Sequence, residues 1–220
     1  MKNKTAIIIG IYGQDGSYLA EFLIKKKYFV YGIANKIKNV DYFKKYKKNL
    51  KISKISINNF KSISTLIKKI SPDEIYHLGS QSYINHDFDA EFFRLNPNIN
   101  GTNFLLAAIK KFSPETKFYF AGTSEIFGNA KVEPQNESTQ FNPRSAYGIS
   151  KLAGYHLTKN YREAYGTFAC SGILYNHESP RRGSYFVTKK IVESAARIKK
   201  GLDKKIYLGN INAKRDWGYS

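Results

Sequence analysis

Cysteine is scarce in this sequence: Cys170 is the sole cysteine among 220 residues. A single cysteine excludes a disulfide within the chain and is typical of proteins in a reducing compartment, so we expect a cytoplasmic protein. Histidine is also rare, and its four copies have no Asp, Glu or Cys partner at the spacing of metal ligands. We therefore predict no metal site.

Long hydrophobic runs are absent as well. The start MKNKTAIIIGIYGQDG is basic, but its apolar run is too short for a secretory signal and is broken by a glycine. No other run approaches the length of a membrane-spanning helix. The sequence therefore predicts a soluble protein without a membrane partner.

Acidic residues are few, with 17 Asp and Glu against 36 Lys and Arg, and the formal net charge is +19. Such a charge attracts polyanions, including nucleic acids. However, Lys, Asn, Ile, Tyr and Phe are abundant together, as in proteins encoded by AT-rich genomes. No recognition-helix pattern, zinc spacing or Gly-aromatic RNA signature accompanies the charge, so we predict no nucleic-acid partner.

What the sequence does contain is an alternation of apolar strand-like runs with helical stretches. This alternation predicts an α/β fold, a doubly wound parallel sheet of the Rossmann type with ligands at the carboxyl ends of its strands. The predicted strands are 6–9, 29–34, 51–57, 74–78, 117–121 and 168–175, and the later predicted helices are 59–70, 102–112 and 147–164.

A glycine-rich turn follows the first strand. Gly10, Gly13 and Gly16 lie between an isoleucine run and an amphipathic stretch, the context in which backbone amides and a helix start approach a dinucleotide pyrophosphate. Glycine triplets also occur in turns without a ligand. After the second strand, Lys36 stands where NAD-binding proteins carry a carboxylate, and this favours NADP.

Two further groups of residues indicate chemistry. Tyr147 and Lys151 lie four residues apart on one helix face, where the lysine can favour a tyrosinate that takes a proton from a sugar hydroxyl. An ordinary surface pair would have the same spacing. Thr123 and Glu125 follow the strand 117–121, and they could supply a hydroxyl donor and a base; a solvent-facing acid at a helix start is the alternative.

Together these motifs resemble the extended short-chain dehydrogenase/reductase superfamily. Several longer stretches of the sequence resemble the GDP-mannose 4,6-dehydratase family. They are GQDGSYLAEFL, EIYHLGSQS, TSEIFG, NYREAYG, GILYNHESPRRG, FVTKKI and LGNINAKRDWG. These stretches extend from Gly10 to Gly218, which is nearly the entire chain.

The resemblance implies a lyase that uses and regenerates NADP while it converts GDP-mannose to GDP-4-dehydro-6-deoxy-mannose. Tyr147 would take the proton of the hydroxyl on carbon 4 while hydride passes to the cofactor, and Thr123 would hydrogen-bond the same oxygen. Glu125 would remove the proton on carbon 5 and help to expel the hydroxyl on carbon 6 as water. Hydride would then return to carbon 6.

The same resemblance implies further site residues and an assembly. The family would form dimers or tetramers. Ser124, Asn176 and Lys190 would face the sugar nucleotide, and the contacts to the dinucleotide would come from Gly10, Gly13, Gln14, Asp15, Gly16, Lys36, Gln81, Lys151, His177 and Arg182.

Family members continue past the RDWG motif, so we expect a C-terminally truncated chain. A NADP-binding domain would span residues 1–175, and an incomplete small domain for the nucleotide sugar would span 176–220. Two alternatives stay open. The chain could be a catalytically silent remnant that binds NADP(H), or another nucleotide-sugar dehydratase or epimerase of the superfamily.

Overall fold

A computed structural model describes residues 3–79 and 88–220 of the chain. The predicted cofactor residue Gln81 lies outside the described residues. The chain forms two compact units, Met1–Leu174 and Tyr175–Ser220. The role assigned to each unit by the resemblance stays a prediction.

The first unit contains a six-stranded sheet in the order β3-β2-β1-β4-β5-β6, with every neighbouring pair parallel. This is the doubly wound Rossmann order, and the predicted fold class is confirmed. Its strands are β1 Thr5–Ile9, β2 Phe29–Ala34, β3 Leu50–Lys54, β4 Glu74–His77, β5 Lys117–Ala121 and β6 Ala169–Gly172. Its helices are α1 Gln14–Lys25, α2 Asp41–Lys44, α3 Phe60–Ile70, α4 Phe88–Phe112 and α5 Ala146–Tyr165.

The second unit contains β7 Asn176–Glu178, α6 Val187–Lys199 and β8 Trp217–Tyr219. Strands β7 and β8 pair in parallel, with His177 opposite Gly218. In the part of the chain that the structure describes, no helix is both long and apolar enough to cross a membrane.

Alternating side chains of β1 build a core on both faces of the sheet. Ile7 and Ile9 pack in one cluster with residues of α3 and α4, such as Leu105, and with the partly buried Leu157 of α5. Ala6 and Ile8 face the opposite cluster, which includes residues of α1 and α2. Because β1 is buried on both faces, its sequence is a continuous apolar run, and the first strand was predictable from it.

Three predicted boundaries are wrong by three residues or more. Strand β3 ends at Lys54 rather than at 57. Strand β6 ends at Gly172 rather than at 175, because its strand partner β5 ends at Ala121; beyond this pair, Leu174 O accepts the N–H of Ser124 from the short helix that follows β5. Helix α4 begins at Phe88 rather than at 102, and it contains Pro97. A proline inside a helix usually breaks it, and here the neighbouring structure outweighs that preference.

Candidate active site

The glycine-rich turn connects β1 to α1 at the carboxyl edge of the sheet. Gly10 has φ +87°, and a Cβ at this residue would lie 2.8 Å from the Cα of Gly79 after β4. A Cβ on Gly16 would overlap the carbonyl oxygen of Gly10. The turn is closed by the Gly13 N–H, which donates to Gly10 O over 2.9 Å. Gly10 and Gly16 are therefore required by the local backbone, and a Cβ at Gly13 would lie 3.1 Å from Gly10 O.

Helix α1 begins directly after this turn. Its N-cap is Gly13, which has no side chain to accept hydrogen bonds from the first turn, and Asp15 lies in that turn. A helix start with a glycine N-cap, after a turn that begins and ends with glycine, is the arrangement that accepts a pyrophosphate. The residues present therefore fit a dinucleotide, with Gln14 at the first helical position.

The loop after β2 lies beside the same turn. The Tyr12 hydroxyl donates to the carbonyl oxygen of Lys38 over 3.0 Å, which joins the loop to the glycine-rich turn. Lys36 is exposed at the end of β2, next to this connection. Its position after the second strand is the one at which dinucleotide-binding proteins distinguish the two nicotinamide cofactors.

Lys151 is buried, with 4% of its surface exposed. Its ammonium donates a 2.7 Å hydrogen bond to the carbonyl oxygen of Ala121, the last residue of β5. Burial lowers the pKa of Lys151 to about 8, while the charge of Asp15 acts in the opposite direction. The lysine therefore links helix α5 to strand β5, and the charge of Asp15 in the first turn of α1 acts on it.

Tyr147 is on the first turn of α5, one turn before Lys151. The Lys151 Nζ lies 5.9 Å from the centroid of the Tyr147 ring. The helix start is fixed by Ser145, whose hydroxyl accepts the Gly148 N–H over 3.0 Å. The predicted pair thus lies on one face, and its lysine is buried, unlike that of an ordinary surface pair.

The residues after β5 form a short 3-10 helix, Ser124–Ile126, that packs against the start of α5. Buried Thr123 caps this helix and accepts the Glu125 N–H at 3.3 Å. A Cβ on Gly148 would come within 2.8 Å of Glu125 O, so the glycine permits a close approach of the two backbones. Thr123, Ser124, Glu125, Tyr147 and Lys151 therefore belong to one contiguous part of the first unit.

The remaining predicted residues belong to the second unit. His177 Nδ1 lies 2.7 Å from the carbonyl oxygen of Tyr175. Arg182 forms an ion pair with Glu178 at 3.3 Å, and its guanidinium stacks on the Phe186 ring. Asn176 begins β7, and the exposed Lys190 donates to the carbonyl oxygen of Tyr207 over 2.6 Å.

Comparison with known proteins shows the family of the chain. A family model described as GDP-mannose 4,6 dehydratase matches residues 7–220. The chain belongs to the GDP-mannose 4,6-dehydratase family. It is 43% identical to a GDP-mannose 4,6-dehydratase of Vibrio cholerae, over 100% of this chain and 62% of the relative. It is 45% identical to a GDP-mannose 4,6 dehydratase of Dictyostelium discoideum, over 100% of this chain and 65% of the relative.

This member of the GDP-mannose 4,6-dehydratase family therefore spans less than two thirds of the length of these curated relatives. Among solved structures, it is similar to the Bordetella bronchiseptica enzyme WbmH in complex with NAD⁺. The TM-score is 0.74 at 27% identity, over 91% of this chain and 64% of that one.

Sequence reasoning missed three residues that shape this part of the GDP-mannose 4,6-dehydratase fold. Phe120 lies under the Lys151 ammonium, and Gly154 lies against the Phe120 ring. Asn98 of α4 donates to the hydroxyl of Ser150 on α5 over 3.2 Å. The spacing of Gly154 from Lys151 on one helix was a visible signal, but the partners of Phe120 and Asn98 lie far away in the chain.

Proposed function

We propose that the chain carries an NADP-dependent GDP-mannose 4,6-dehydratase activity, a lyase reaction that yields GDP-4-dehydro-6-deoxy-mannose. One observation carries the proposal: the buried hydrogen bond from Lys151 to Ala121. It joins the helix of Tyr147 to the strand that leads into Thr123 and Glu125. Family membership supports the substrate class, and the NAD⁺ complex of WbmH supports a nicotinamide cofactor.

The glycine-rich turn and the start of α1 would bind the cofactor pyrophosphate, since backbone amides without side chains at Gly10, Gly13 and Gly16 leave room for its approach. Lys36 would attract the additional phosphate of NADP, because it is a cation at the end of β2. When bound, the cofactor accepts hydride from carbon 4 of the mannose and returns it to carbon 6.

Tyr147 is the general base for the hydroxyl on carbon 4. The Lys151 ammonium beside it stabilises a phenolate, because an opposite charge favours the ionised form. Thr123 donates a hydrogen bond to the carbon 4 oxygen and orients the hydroxyl toward Tyr147. The oxidation leaves a ketone, which acidifies the neighbouring proton on carbon 5.

Glu125 takes this proton from carbon 5. The same proton then leaves with the hydroxyl of carbon 6, so one water molecule departs and a double bond joins carbons 5 and 6. After the reduction of carbon 6, carbon 5 is reprotonated by the equivalent of the proton that Tyr147 took from the carbon 4 hydroxyl, so Tyr147 returns to its starting form and the balance closes. The backbone of Glu125 is fixed in the short helix after β5. Because the residue is only half-buried, its carboxylate stays accessible to a ligand.

Other parts of the proposal depend on the family resemblance. Ser124, Asn176 and Lys190 would bind the sugar nucleotide, and His177 and Arg182 would add contacts to the dinucleotide. We expect the protein to act in the cytoplasm as a homodimer or homotetramer.

The test is mass spectrometry of GDP-mannose after incubation with the purified chain and NADP⁺. We expect the sugar nucleotide to lose one water, and we expect Glu125→Gln to lower the rate by about 100-fold or more, since it removes the base. Unchanged GDP-mannose from a folded protein that binds NADPH would contradict the proposal and favour a silent cofactor-binding chain.

Cofactor binding is measured separately by NADPH fluorescence. Gly16→Ala should weaken NADPH binding about tenfold or more, since its Cβ would overlap Gly10 O and displace the turn. Gly209→Ala is the matched control, because no atom lies within 4 Å of a Cβ at that residue. Equal NADPH affinities of Gly16→Ala and Gly209→Ala would mean that the cofactor binds elsewhere. The role of Lys36 is tested by comparing the affinities of the chain for NADPH and NADH.

A further inference from the structure

The Lys151 ammonium has a second partner besides Ala121. Phe120, the penultimate residue of β5, is 2% exposed, and its ring centroid lies 4.9 Å from Lys151 Nζ. The face of an aromatic ring attracts a cation, and the attraction strengthens when water is excluded. Strand β5 therefore offers the buried ammonium both a carbonyl oxygen and an aromatic face from adjacent residues.

Gly154 makes room for this ring. It lies three residues after Lys151 on the same face of α5. A Cβ at Gly154 would overlap Phe120 Cζ and would lie 2.8 Å from Cε2. One turn further along α5, the Thr158 hydroxyl donates to the carbonyl oxygen of Gly154 over 2.8 Å. The ring thus occupies space that any other residue at this position would fill.

We propose that Phe120 and Gly154 are positioning residues for Lys151. Gly154 seats the Phe120 ring against α5, and the ring face keeps the ammonium protonated and directed at Ala121 O. The functional meaning of this arrangement rests on the proposed function, in which Lys151 acts through Tyr147. The arrangement itself is a property of the free protein.

The titratable groups near Lys151 lie on α1, α5 and β4. Asp15 on α1 favours the ammonium, and Tyr147 on α5 has its ring 5.9 Å away. His77 on β4 packs against Phe120 with 5.6 Å between ring centroids. Burial lowers the pKa of His77 to about 3, so this histidine is neutral near pH 7. The ring face and the carbonyl oxygen are therefore the uncharged groups that favour the buried cation, beside the charge of Asp15.

The experiment measures the Lys151 titration in the ligand-free chain by NMR with ¹³C-labelled lysine, and Lys151→Met identifies the signal. In Phe120→Leu the protonated form loses the ring face, so we expect the pKa of Lys151 to fall by about one. Phe118→Leu is the matched control, because Phe118 is on the same strand and is 1% exposed. We expect it to leave the Lys151 titration within about 0.2 of the wild type.

Gly154→Ala provides a second test that does not remove the ring. Alanine favours a helix over glycine, so the helix itself is not weakened, while the Cβ displaces the ring from the ammonium. We expect the pKa of Lys151 to fall in this variant as well, and NADPH to bind more weakly. An unchanged titration in Gly154→Ala, or equal changes in Phe118→Leu and Phe120→Leu, would overturn the proposal.

These outcomes are separable from failure of the proposed function. The titration is recorded without substrate or cofactor, so a chain that does not dehydrate GDP-mannose can still show the expected fall. A normal titration in all variants of an active enzyme would overturn only the role of Phe120 and Gly154.

Discussion

Helices α5 and α6 show how differently the two units are stabilised. Helix α5 of the first unit buries Gly148, Ser150, Lys151, Gly154 and Thr158, and Ser145 caps its start. Helix α6 of the second unit buries none of its residues, and its N-cap makes no side-chain hydrogen bond. Among the described residues, every buried apolar side chain belongs to the first unit.

This difference shows which unit can hold reacting groups in precise positions. A buried ammonium stays in place only when packing and hydrogen bonds surround it, and Lys151 has both. The polar residues of the second unit are ordered by local contacts instead, such as the ion pair between Arg182 and Glu178. Binding contacts tolerate such an arrangement better than proton transfer does, because proton transfer depends on short, aligned distances.

The largest expected effect is on the core of the first unit. Leu105 of α4 is 0% exposed and belongs to the cluster on the α3, α4 and α5 face. Leu105→Ala should lower the free energy of unfolding by about 2 to 5 kcal/mol, because it loses buried surface and leaves a cavity. Urea unfolding followed by circular dichroism measures the change. A loss below about 1 kcal/mol would mean that this core is loosely packed.

The next effect concerns the pH dependence of stability. The pKa of Lys151 is about 8 in the folded chain against 10.5 ordinarily, so the unfolded chain binds more protons between these values. The free energy of unfolding therefore rises with pH between about 8 and 10.5. Below pH 8 the folded chain bears the whole cost of burying the charged Lys151. Lys151→Met removes this dependence.

The measurement compares the unfolding free energies of the wild type and Lys151→Met from pH 7 to 10.5. We expect the wild type to gain on the order of 3 kcal/mol relative to the variant across this range, since each unit of pKa corresponds to about 1.4 kcal/mol. Other lysines titrate in both proteins and cancel in the difference. A constant difference would show that Lys151 is solvated, which would also weaken the contrast between the two units.

Much of the first unit was predictable because its local patterns and its packing agree. Strands β2 and β5 have the predicted bounds, since both are short apolar runs within a parallel sheet. Helix α3 begins directly after Asn59, whose side chain accepts the Ser62 N–H as a cap. Helix α6 was not predicted, although Val187, Ile191 and Ile198 recur in its sequence at helical spacing.

The candidate site was predictable only where its residues are close in sequence. The spacing of Tyr147 and Lys151 indicates a shared helix face, and the glycine-rich turn is contiguous. By contrast, the contacts of Phe120 with Lys151 and Gly154 join a strand to a helix that is distant in the chain. Pairing of this kind depends on how α5 packs on β5, and no local pattern specifies it.

The smallest effect is expected on α6, and it tests the contrast most directly. Ile191 is 39% exposed, so Ile191→Ala removes little buried surface and should change the free energy of unfolding by less than about 0.5 kcal/mol. The measurement is the same urea titration as for Leu105→Ala, with the second unit followed by the fluorescence of Trp217, the single tryptophan. A loss near that of Leu105→Ala would mean that the apolar side of α6 is covered in solution, and the two units would then be stabilised by the same means.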